Sequence, residues 1–296
     1  MFKTPILLIT FNRPNHVRQV LAEIRKVQPE ELYIAQDGPR VERPDDILKI
    51  QAVREVIKEM TDWQCNLHTH YSETNLGCGR GPYEAMSWFF QNVEYGIIME
   101  EDILPHPLFW PYMEELLERY KDDKRVGMVC GHNLQRYYSR HNSYYFTHEM
   151  AGTLGWGTWR RVWKLFDFDI PYDEKQLSLA LRWYGLPTLI IQRSCAFYKK
   201  NLSKSRHDCW DIQFDYYLLV NHYLNARANS CLTSHEGDDA DATHSGYTNP
   251  GYKMEVDESK IVPITHPEQV KINGSVRFRM YKKELHLLLK KILCRL

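Results

Sequence analysis

Several things are scarce in this chain of 296 residues, and each scarcity removes a class of protein. It has no charge of one sign to spare: 38 Lys and Arg balance 38 Asp and Glu, so no global positive field points to nucleic acid as a partner. Its seven cysteines are odd in number and scattered, with no CxxC, which argues against a zinc site or a disulfide framework. No apolar run is long enough to span a bilayer, and the opening Met1-Phe2-Lys3-Thr4-Pro5 lacks the apolar stretch of a signal peptide. A reducing cytoplasm is the expected compartment. There is no internal repeat, no low-complexity linker and no GxxxxGK[ST] phosphate loop.

The remaining sequence is ordinary globular material, 43% hydrophobic and 26% charged, and long enough to bury a large core. Pro5 to Phe11 is a continuous apolar run, the pattern of a strand buried on both faces of a parallel sheet. His16 to Val27 then repeats Val17, Val20, Leu21 and Ile24 on one helical face. Strands are predicted at Leu32–Ala35, Asn66–Tyr71, Tyr95–Met99 and Val126–Cys130. Helices are predicted at Ile47–Met60, Tyr83–Asn92, Pro111–Tyr120 and Asp211–Asn221. The alternation implies an α/β fold with a mainly parallel sheet, whose ligands sit at the carboxyl ends of the strands. Three polar groups occupy such ends: Thr10 to Arg13, Asp37, and Glu100-Glu101-Asp102. Residues 1–130 read as the ligand-binding half, 131–255 as the acceptor and catalytic part of the same domain, and 256–296 as a tail.

Consecutive carboxylates after an apolar strand need a cation or hydrogen-bond donors to offset their crowding, and oxygen ligands suit Mn²⁺ or Mg²⁺. The alternative is a solvated cap on the strand. The stretch Asn75-Leu76-Gly77-Cys78-Gly79-Arg80-Gly81 is read as a loop whose amides, with Arg80, could meet a diphosphate, or which simply turns the chain. At the start of the Asp211 helix, Asp208 and Asp211 are both candidates for a general base, and either could be the helix cap. His244 is a candidate metal or phosphate ligand in a polar loop.

Taken in order, Pro5 to Arg13, Gln36-Asp37-Gly38, Asn75-Leu76-Gly77, Glu100-Glu101-Asp102, Leu154-Gly155-Trp156, Trp210-Asp211 and Thr243-His244-Ser245-Gly246 resemble the GT-A nucleotide-diphospho-sugar transferases. Within them the chain is most similar to the N-acetylglucosaminyltransferase I type and its bacterial relatives, over roughly residues 4–250. The resemblance implies a Rossmann-like GT-A fold and transfer of a sugar from a nucleotide-sugar donor, a UDP-sugar foremost, to a hydroxyl of a glycan or glycolipid. It implies that Thr10, Asn12 and Arg13 line the nucleoside pocket and that Asp37 bonds the base. Gly77 and Arg80 would approach the donor. Asp102 would bind Mn²⁺ or Mg²⁺, Glu101 would lie by the sugar or ribose, and Glu100 would support the site. Trp156 would wall the sugar and acceptor, Asp211 would be the base of an inverting reaction, and His244 would reach the diphosphate or metal. The triplet is Glu-Glu-Asp where the animal enzymes have Glu-Asp-Asp, and one Asp rather than two follows Trp210. A retaining transferase, a nucleotidyltransferase and a non-catalytic sugar-nucleotide or glycan binder are the alternatives. Finally, residues 276–296 read as a basic amphipathic helix, suited either to an anionic membrane surface at the inner leaflet or to docking on the protein itself.

Overall fold

The computed structural model describes residues 1–134, 137–150, 152–202, 209–237, 253–254 and 256–293, without the side chains of 284–293. The first half is built as the periodicities predict. Strands β1 (Ile6–Thr10), β2 (Glu31–Gln36), β3 (Asn66–Tyr71) and β4 (Tyr95–Glu100) pair in parallel, with β1 between β2 and β4. Helices α1 (Pro14–Val27), α2 (Asp46–Met60) and α3 (Gly77–Asn92) make the crossovers. Pro14 opens α1, where a missing N–H costs nothing, and α1 buries Val17, Val20, Leu21 and Ile24.

One boundary differs. The glycine-rich stretch expected as a loop forms the first turns of α3. The cause is Asp37, whose carboxylate accepts from the amides of Leu76 at 2.8 Å and Gly77 at 3.0 Å, giving the helix a cap from a neighbouring strand end. Gly77 itself has φ +75°, a conformation that favours glycine.

Beyond β4 the sheet continues but its direction changes. Its eight strands run β3-β2-β1-β4-β8-β6-β9-β7, where β6 is Val126–Cys130, β7 Tyr144–Thr147, β8 Trp156–Trp159 and β9 Leu224–Ala228. Strand β8 is antiparallel to both its neighbours, and β7 is antiparallel at the edge. A small second sheet pairs β5 (Ile103–Pro105) with β10 (Thr233–His235), placing His235 opposite Ile103 and hence beside the acid triplet. The remaining helices are α4 (Phe109–Arg119), α5 (Arg160–Trp163), α6 (Glu174–Trp183), α7 (Thr188–Leu202), α8 (Asp211–Val220) and α9 (Gly274–Leu293). Helix α9 begins docked, with Val276 and Met280 packed against Tyr145 of β7. Among the described residues no helix is long and apolar enough to cross a membrane.

Candidate active site

The carboxyl ends of β1, β2 and β4 and the start of α3 enclose a cavity of about 200 Å³. Thr10, Phe11, Asp37, Arg40, His70 and Glu100 are in its wall. This is the position that parallel α/β sheets give to ligands.

Glu100 and Glu101 of the triplet close one side of it. Glu101 is buried and held by two donors, the Phe11 amide and Arg13 Nε, each at 2.7 Å. The same guanidinium reaches Asp102 Oδ2 through Nη2 at 2.7 Å, and His235 Nε2 lies 3.4 Å from that oxygen. The crowding inferred from the sequence is therefore offset within the chain, by an arginine from the β1–α1 turn and a histidine from β10. Burial works to raise the Asp102 carboxyl, but hydrogen bonding and charge from His235 and Arg13 outweigh it and hold it well below the usual range. Glu100 is pushed the other way, by burial first and then by the charges of Asp102 and Asp211. Arg13 stays firmly protonated between its two acids, against the pull of burial.

Among the described residues no three His, Cys, Asp or Glu side chains converge as a metal cage. Asp102 and His235 fit a cation only as a sparse site that a diphosphate and water complete, a mode Mg²⁺ commonly uses. Gly237 passes close against this pair, since a Cβ on it would fall 2.3 Å from Asp102 Oδ2 and 2.9 Å from His235 Nε2.

Not every residue singled out in the sequence faces the cavity. Thr10 does, though its hydroxyl donates to Ala35 O at 3.1 Å. Asp37 does also, but both of its oxygens are engaged: Gly38 N and Leu76 N donate to Oδ1, and Gly77 N and Asn75 Nδ2 to Oδ2. Its evident work is to cap α3, which leaves the amide of Gly77 turned to Asp37. Asn12 is buried away from the cavity and donates to Asp46 Oδ1 at 2.7 Å. Arg80 points to Asp169 at 3.5 Å and lies over the Phe168 ring, so it does not reach the cavity wall. Trp156 is fully buried in β8, stacked on Trp210 with centroids 5.5 Å apart; it forms core rather than a sugar-facing wall.

Asp211 opens α8, anchored by that Trp156–Trp210 stack, and its charge contributes to raising Glu100. Asp208 and His244 lie outside the described residues. The sequence reading missed three contributors. His235 arrives through a three-residue strand too short to carry a periodic signal. Arg40 and Asp46 form a forked pair at 2.7 and 2.9 Å, with the guanidinium over the Phe11 ring at 5.1 Å. Hydrogen bonding from Arg40 leads the causes that hold Asp46 down at about 2. An Arg six residues before an Asp, between a strand end and a helix start, was the available signal.

No protein-family model matches the chain, and no curated protein matches its sequence. Solved structures to which it is similar include HddC from Yersinia pseudotuberculosis, at 10% identity and a TM-score of 0.33, over 58% of this chain and 81% of that one. They include HddC complexed with GMP-PN, at 8% identity and a TM-score of 0.32, over 56% and 80%. A further one is 4-diphosphocytidyl-2C-methyl-D-erythritol synthase from Anaerococcus prevotii, at 7% identity and a TM-score of 0.33, over 57% and 79%.

Proposed function

We propose that the protein is a glycosyltransferase that moves a sugar from a nucleotide-diphosphate donor, a UDP-sugar foremost, to a hydroxyl of a glycan or glycolipid, with inversion. One observation carries the reading. Glu100 lines the cavity at the strand ends, and Asp211 at the start of α8 is close enough for its charge to help raise the Glu100 carboxyl. This supports a reading in which the donor is held on the cavity side and the acceptor is activated from α8.

In this reading the nucleoside enters the cavity and its diphosphate extends towards Arg13. Arg13, fixed by Glu101 and Asp102, presents a permanent positive charge to the departing nucleoside diphosphate. Bound Mn²⁺ or Mg²⁺, held by Asp102 with His235 beside it, would supply further neutralisation of the diphosphate. Asp211 takes the proton from the acceptor hydroxyl. The new bond forms between that oxygen and the anomeric carbon as the bond to the phosphate oxygen breaks. Glu101 orients Arg13 and does not itself need to touch substrate.

A panel of nucleotide sugars tests this, with thermal shift and donor consumption read together in Mn²⁺ and again in EDTA. A nucleotide sugar should raise the melting temperature and be consumed when a glycan acceptor is added. Pyrophosphate release from a nucleoside triphosphate and a sugar phosphate would instead make the protein a nucleotidyltransferase.

A further inference from the structure

The chain as a whole is neutral, but its charge is unevenly placed. Residues 174–202 and 274–283 together contain nine Lys or Arg and a single acid, Glu174, against totals of 38 and 38. The two segments meet in the fold. Helices α6 and α7 form a hairpin whose open ends are tied by Lys199 and Glu174 at 3.9 Å. At its closed end Arg277 Nη1, from α9, donates to Tyr184 O at 3.2 Å.

The same elements expose large apolar side chains. Trp183, next to that contact, is 61% exposed, and Phe278, next to Arg277, is 69% exposed. Leu179 lies one turn before Trp183 on α6, and Leu189 and Phe197 are exposed along α7. Helix α6 buries Leu177, Ala180 and Leu181 on its inner side, so Leu179 and Trp183 are not core residues caught at an edge.

Aromatic and leucine side chains standing among lysine and arginine, with Glu174 at the open end of the hairpin as the one acid, match the boundary of an anionic bilayer. The geometry points to a docking face for anionic phospholipid formed by the α6–α7 hairpin and the first turns of α9, with Trp183 and Phe278 as the inserted pair. The face stands apart from the strand-end cavity, and the inference holds whether or not the protein transfers sugar.

The test is sedimentation of the full chain with vesicles of equal parts phosphatidylglycerol and phosphatidylcholine, compared with phosphatidylcholine alone. Binding to the anionic vesicles should be stronger by about tenfold or more and weaken with added salt. The double variant Trp183→Ser with Phe278→Ser should lose about tenfold of that binding. Leu48→Ser, on the exposed face of α2, should lose none, and both variants should melt like the parent. Equal binding to neutral vesicles, unchanged binding by the double variant, or self-association that the double variant abolishes would each overturn the assignment, the last in favour of a protein interface.

Discussion

The two halves of the sheet treat polar residues in opposite ways. In the half made by β1 to β4 the central strands β1 and β4 are apolar, and polar groups gather at the carboxyl ends with partners already in place: Arg13 with Glu101 and Asp102, Arg40 and Asn12 with Asp46. In the half made by β6 to β9 they sit inside the strands. Asn225 and Arg227 are fully buried in β9, and among the described residues neither amide atom of Asn225 nor the Nε and Nη1 of Arg227 has a hydrogen-bond partner. His148 is buried nearby, and Asp215 is half-buried. The first half resembles a finished scaffold with a site at its rim. The second spends stability on internal polarity, as regions that hold function often do.

Substitutions can sharpen that contrast. The largest effect is expected at the rim. Asp102→Ala should abolish transfer in an activity assay while the melting curve stays close to that of the parent, because Arg13 still pairs with Glu101. Full activity in the variant would remove Asp102 from the site. Arg13→Met should cost about 3–5 kcal/mol in a denaturant titration, since it leaves Glu101 buried beside an unpaired neighbour. Asn12→Ala should cost about 1–3 kcal/mol by removing a donor to buried Asp46, with little change in donor binding.

In the second half the prediction concerns pH. Burial, with the charges of Arg227 and Arg277 adding to it, pushes His148 down to about 3. The unfolded chain takes up that proton near the ordinary imidazole value of about 6.5, so stability should fall as pH drops below it. One proton is worth up to ~1.4 kcal/mol per pH unit, and His148→Gln should flatten this acid limb in melts between pH ~6.5 and ~4. Asp215 works with the opposite sign. Burial raises it to about 7, so its contribution improves as pH falls from there towards the ordinary carboxyl value, and Asp215→Asn should deepen the acid loss. If neither variant alters the profile, the buried polarity of this half is not what the structure makes it.

The same division sets what could be read from the sequence. Continuous apolar runs and clean helical faces located β1, α1, β2, α2 and β4, because in a parallel sheet burial on both sides leaves little choice of residue, whereas β3, the exposed edge strand, carries no such run. The site was legible where it followed such a run, as Glu100 to Asp102 do. It was not legible where tertiary contacts decide a residue's work. Asp37 caps a helix forty residues away in sequence, a contact no local pattern encodes. Strand β9 reads Leu-Asn-Ala-Arg-Ala, which carries no apolar run, and β7 reads Tyr-Tyr-Phe-Thr, buried throughout without alternation. His235 was hidden by the brevity of β10, and Trp156 looked like a binding aromatic because an exposed and a core tryptophan look alike in sequence.

The central claim is that chemistry happens between the triplet and Asp211, and one pair of measurements on Asp211→Asn addresses it most directly. With a nucleotide sugar identified by the panel, single-turnover transfer should fall by about 10²–10⁴-fold while donor affinity, titrated separately, stays within about twofold of the parent. Transfer at the parental rate with affinity intact would contradict the account, because the cavity and Arg13 would then act without the carboxylate that completes them.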